Sequence, residues 1–125
     1  MDTKTQRYDS EIEKQMVDLF QKQGWDCKLT SEPIRVAEGN SFIPDITLEN
    51  DGRVFGYVEC YGDVIAEKKQ EQILYILDTC KPELFILTNG ANYEVYFDSK
   101  YVGSMTVPIG YNEFTQKNGY LCTQK

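Results

Sequence analysis

With 125 residues, 41% of them hydrophobic, the chain fits one domain, able to bury roughly two thirds of its unfolded surface. Its 20 acids against 13 bases give a net charge of −7, which argues against tight unaided nucleic-acid binding, because basic side chains supply most of that affinity. It has no histidine, no CxxC pair among its four cysteines and no apolar run of about 18 residues, which excludes Ser-His-Asp and Cys-His catalysis and argues against zinc and membrane insertion.

The N-terminus MDTKTQRYDS lacks a signal-peptide pattern, so the sequence predicts a cytoplasmic protein whose cysteines are small buried apolar residues. Ser10-Glu11-Ile12-Glu13 has capping-box form and predicts a helix from Ser10 to about Gln23, stopped by Gly24. Ile12, Met16, Val17, Leu19 and Phe20 fall in one stripe; Glu13 lies roughly 50° from its centre and Glu11 roughly 150° away.

Three extended segments follow at 34–37, 42–49 and 53–61, joined by the turn clusters EGNS and ENDG, and predict an antiparallel meander. In the third, period-two alternation puts Phe55, Tyr57, Glu59 and Tyr61 on one face and Val54, Val58 and Cys60 on the other. In the second, Ile43, Asp45 and Thr47 share a face. Residues 66–79 predict a second helix with Ala66, Ile73, Ile76, Leu77 and Cys80 on one side and Pro82 beyond its end. Lys69 and Gln70 each flank that stripe, whereas Lys68 is almost opposite it. LFILTNGANYEVYF then alternates around Asn89-Gly90 and predicts strands at 84–88 and 92–97. YVGSMTV suits an edge strand, and the tail from Tyr111 reads as irregular. Tyr75, Tyr93 and Tyr96 read as exposed.

The order of elements predicts a mixed sheet clasped by helices in a single domain spanning 1–125. Asp45 and Glu59 fall on neighbouring antiparallel strands, with Glu13 on the adjoining helix. Converging carboxylates are costly unless a divalent cation neutralises them, and an oxygen-only donor set favours Mg²⁺ or Mn²⁺. Each residue also has a purely structural explanation. Glu13 suits the capping box, Asp45 and Glu59 suit solvent-facing strand positions, Lys69 suits a snorkelling helix lysine, and Tyr61 suits a packed aromatic.

Pro44-Asp45, then thirteen residues, then Glu59-Cys60-Tyr61 resembles the motif of the PD-(D/E)xK nucleases. LFQKQGW, PDITL, YVECY, AEKKQEQILYI and LFILTNGANYEVY occur in an order similar to the N-terminal nuclease domain of type I restriction-enzyme R subunits and related stand-alone proteins. The resemblance covers about residues 8–98 and leaves 99–125 as an extension. It implies a restriction endonuclease-like α/β fold in αβββαββ order and Mg²⁺- or Mn²⁺-dependent hydrolysis of DNA phosphodiesters, in a restriction, defence or mobile-element setting. It further implies Asp45 and Glu59 as catalytic metal ligands, with Glu13 as an outer ligand.

The sequence departs from the family at Tyr61, where the motif has lysine. Tyrosine carries no positive charge and cannot replace lysine electrostatically. In some branches of the superfamily the basic residue sits on the following helix, which makes Lys69 the substitute, with Gln70 and Tyr61 as substrate-binding residues. The alternative is a catalytically inactive module of the same fold whose acidic surface engages a basic protein partner. Stand-alone nucleases of this fold often pair, so a homodimer belongs to the expectation, although the sequence offers no decisive interface stripe.

Overall fold

The computed structural model describes residues 3–30, 34–35, 41–62 and 67–116. The first helix, α1, runs from Thr3 to Lys22, so Ser10 sits inside it and the predicted capping box does not form. Nothing between Thr3 and Ser10 interrupts a helix, since that stretch has neither proline nor glycine. Met16 and Phe20 are buried, with Ile12 and Val17 packed beside them, whereas Leu19 is 36% exposed and leaves the predicted stripe.

Six strands form the main sheet in the order β1-β4-β5-β6-β7-β8, where β1 is Lys28–Leu29, β4 Ile46–Asn50, β5 Arg53–Cys60, β6 Leu84–Thr88, β7 Tyr93–Phe97 and β8 Lys100–Met105. Only β5 and β6 pair in parallel; the other neighbours are antiparallel. Between β5 and β6 lie the second helix α2 (Glu67–Tyr75) and a π-helical continuation over Ile76–Cys80, the kind of helical crossover a parallel pair requires. Lys81 ends it in the left-handed conformation, its N–H bonded to the Ile76 carbonyl, just ahead of Pro82.

Two of the three predicted meander strands are revised. Residues 34–35 (β2) pair with 41–42 (β3) as a separate two-stranded ribbon, and the edge place in the main sheet goes to β1. Residues 36–40, with most of the EGNS turn, lie outside the described set. The predicted strand at 42–49 is broken at 43–45, because Pro44 has no N–H for the ladder and ends β3 before β4 begins. The ENDG turn forms as expected. Asp51 and Gly52 both take positive φ (52° and 78°), as a two-residue primed turn demands.

The sheet separates two cores. On one face α1 and the C-terminal segment enclose Met16, Phe20, Trp25, Ile46, Val58, Tyr93 and Val95. On the other, Ile73, Ile76 and Leu77 of the second helical segment meet Phe85 and Leu87. A register shift between Leu48 and Glu49 leaves Phe55 unopposed, which turns its ring into the α1-side core rather than the face shared by Tyr57 and Glu59. Trp25 donates from Nε1 to the Ile109 carbonyl at 2.8 Å and packs against Phe55, Tyr111 and Phe114. Residues 111–116 are accordingly helical, not irregular. Tyr93 is 2% exposed, contrary to expectation, because its alternation on β7 points it at Phe20. Among the described residues no helix is long and apolar enough to cross a membrane.

Candidate functional site

The carboxylates predicted from the sequence meet where β4 and β5 open away from their turn. Asp45 stands in the bend ahead of β4 and is half-buried, while Glu59, second-last in β5, is only 2% exposed. The two segments clasp one another. The Asp45 N–H donates to Glu59 Oε1 at 2.8 Å, and the Cys60 N–H donates to Asp45 Oδ2 at 2.7 Å. The Asp45 carbonyl also accepts from the Thr30 N–H at 3.1 Å, which ties the bend to the end of β1.

This arrangement follows from local chemistry. Pro44 interrupts the ladder, so the bend's next N–H needs another acceptor, and the Glu59 side chain provides it. Asp45 in turn caps the N–H of Cys60 where the β4 ladder no longer reaches it. Both hydrogen bonds carry charge on the acceptor, the stronger kind. Glu59 nonetheless belongs to a residue type almost never fully buried without partners, and it stands beside a second carboxylate. Where two carboxylates converge they repel, and a cation between them removes that penalty.

The alternation of β5 fixes the face. Val58 and Cys60 enter the α1-side core, while Tyr57 and Tyr61 pack with the α2-side core, so Glu59 projects toward the face that α2 covers. Glu59 is also in parallel register with Leu87, a member of that core. Glu13 stands on α1, which covers the opposite face. Among the described residues no three His, Cys, Asp or Glu side chains gather as an ion site.

The backbone of Lys69 lies in α2, on the helix that covers the face of Glu59, but its side chain lies outside the described set. Gln70 is exposed on that helix. Tyr61 is half-buried, its ring against the cluster of Ile73, Ile76, Leu77, Phe85 and Leu87, and its N–H donates to the Thr88 carbonyl at 2.9 Å. That bond extends the parallel β5–β6 pairing one residue past Cys60.

The hairpin predicted around Asn89-Gly90 forms between β6 and β7. Asn89 accepts from the N–H groups of both Ala91 and Asn92 through Oδ1, each at 2.9 Å. Thr88, fully buried, donates its hydroxyl to the Asn92 carbonyl at 2.8 Å and accepts from the Gly90 N–H at 3.0 Å. Gly90 takes φ +94°, which only glycine adopts cheaply. Asn-Gly signals a hairpin, yet the loop is four residues long and is built by side chains rather than as a two-residue turn.

A mixed six-stranded sheet flanked by helices, with a central parallel pair, is compatible with a restriction endonuclease-like fold. No family model and no curated protein sequence matches the chain. Among solved structures, one chain in the cryo-electron microscopy structure of a DrdV–DNA complex shares the fold, with a TM-score of 0.55 and 15% identity. The match covers 90% of this chain and 11% of that one, so the shared fold is a small part of the larger protein.

Proposed function

We propose that this chain is a divalent-cation-dependent nuclease acting on DNA phosphodiesters. The observation that carries the reading is the clasp between the Asp45 bend and the end of β5, in which buried Glu59 accepts the Asp45 N–H at 2.8 Å and Asp45 accepts the Cys60 N–H at 2.7 Å. The donor set fits Mg²⁺ or Mn²⁺. Both side chains offer hard oxygen, and Mg²⁺ binds through one or two carboxylates while keeping several waters. A cation held there supplies charge neutralisation for the scissile phosphate and lowers the pKa of water.

The chain's own residues have separate tasks in this reading. Asp45 and Glu59 hold the cation, each oriented by a backbone hydrogen bond that the other segment supplies. Tyr61, seated in the apolar cluster, closes the α2 side of the site without charge. Lys69 is the cation-bearing residue assigned to the phosphate or the attacking water. The DNA in the complex of the DrdV neighbour supports DNA as the substrate class.

Linear and supercoiled DNA incubated with the purified chain in Mg²⁺ or Mn²⁺ should be cut, and Asp45→Asn and Lys69→Ala should each reduce the rate at least a hundredfold. Intact DNA under every cation condition would remove this reading. A second reading has one specific observation in its favour: the packing of Tyr61 against the α2-side apolar cluster leaves the motif's lysine position filled by an uncharged ring. On that reading the chain binds DNA or a basic protein without turnover, and cleavage fails while binding persists.

A further inference from the structure

We infer that Asn89 contacts the phosphate backbone of the nucleic-acid strand in the Asp45–Glu59 site, as a substrate-positioning residue. The inference rests on the nuclease reading and adds a donor that the motif does not contain. β5 and β6 run in parallel, with Cys60 beside Thr88 and the Tyr61 N–H on the Thr88 carbonyl. Asn89 therefore follows β6 at the same carboxyl end of the sheet at which Glu59 and Asp45 meet. In open α/β sheets that end is where ligands bind. Alternation from Phe85 and Leu87 puts Asn89 on the face to which Glu59 projects.

The chemistry of the side chain is fixed by its own turn. Oδ1 is committed to two backbone N–H groups, at 2.9 Å each, which assigns the amide's orientation. The NH₂ group takes no part in those two turn bonds and remains a donor on a half-buried residue. The buried Thr88 hydroxyl braces the same turn through Asn92 and Gly90, so the donor is held with little conformational freedom left to lose on binding. A phosphate approaching two carboxylates needs donors nearby, and a neutral amide supplies them without forming a competing ion pair with the acids.

Two substitutions separate donor from scaffold. Asn89→Asp keeps an acceptor for Ala91 and Asn92 and replaces the NH₂ by an anionic oxygen. Asn89→Ser keeps a weaker turn acceptor, adds no charge and is too short to replace the NH₂. Binding of a short fluorescent duplex is measured by anisotropy with Ca²⁺ in place of Mg²⁺, alongside thermal melting. The expected result is a tenfold or greater loss of affinity for Asn89→Asp and about a fivefold loss for Asn89→Ser, with cooperative melting retained. Wild-type affinity in both variants overturns the inference and leaves the nuclease reading standing. Loss in Asn89→Asp alone is charge repulsion and also overturns it. A parent chain that binds no DNA removes both readings.

Discussion

Replacing Asp45 by asparagine or by alanine tests whether its carboxylate serves the fold, a cation, or both. The carboxylate accepts the Cys60 N–H at 2.7 Å, and Cys60 is 8% exposed. Alanine leaves that N–H without its acceptor, a loss of about 1–3 kcal/mol, or roughly 4–10 °C in melting temperature for a chain of this size. Asparagine keeps an oxygen in the same place and removes one of two neighbouring negative charges, so without metal its melting temperature should stay within about 2 °C of the parent or exceed it. Adding Mg²⁺ or Mn²⁺ reverses the order. At a hundredfold excess over Kd the parent gains about 3 kcal/mol, whereas the asparagine variant gains little, having lost half its anionic donors. Melting curves by differential scanning fluorimetry, in EDTA and across a cation titration, give all the quantities. An asparagine variant that melts with the alanine variant, or that retains the parent's cation shift, refutes the reasoning.

Two further outcomes follow from the core. A Cβ added at Gly56 would lie 1.7 Å from the Leu84 carbonyl oxygen and 2.6 Å from its carbon, so Gly56→Ala forces the parallel strands apart by more than an ångström and should cost about 3 kcal/mol or more in urea unfolding; a loss under about 0.5 kcal/mol would contradict the close approach. Burial pushes the Cys27 thiol up to about 11 from 9.0. Below pH 9 both folded and unfolded chains keep this thiol neutral; between 9 and 11 only the unfolded chain ionises, so stability falls over that window by on the order of 2 kcal/mol. Cys27→Ala should flatten the decline of the urea midpoint across that range, and equal slopes in the two proteins would count against a buried neutral thiol.

The long amphipathic helices and the strands around Asn89-Gly90 were legible because their periodicity spans many residues and agrees with their burial. Asp45 and Glu59 were legible as a pair for a different reason: acids inside apolar strands are conspicuous. The bend at 43–45 was not, since Pro44 sits between two extended stretches that a pattern search joins into one. β1 has two residues, too few for any period, and owes its place to pairing with Ile46 and Thr47. Glu13 was placed by its angle on α1, and the angle was right, for the residue is half-buried beside the core stripe. The Phe55 ring changed faces through a bulge that leaves no mark in the sequence. Tyr93 was misjudged because a tyrosine hydroxyl suggests water, while its position in the alternation leads it to Phe20 and to the Met16 sulfur at 3.5 Å.

The clasp between Asp45 and Glu59 lies wholly within one hairpin, its partners only 14 and 15 positions apart along the chain. Its closure therefore depends on a short loop whose entropic cost is small, and the acids stand on β5 and in the bend just ahead of β4, two strands that a single primed turn aligns. That economy makes the site sensitive to chain length. One residue added to Asp51-Gly52 and absorbed as a register slip would turn Glu59 to the α1 side while Asp45 stayed behind. Substitutions in the turn change stability; a change in the number of its residues changes whether the two acids share a face at all.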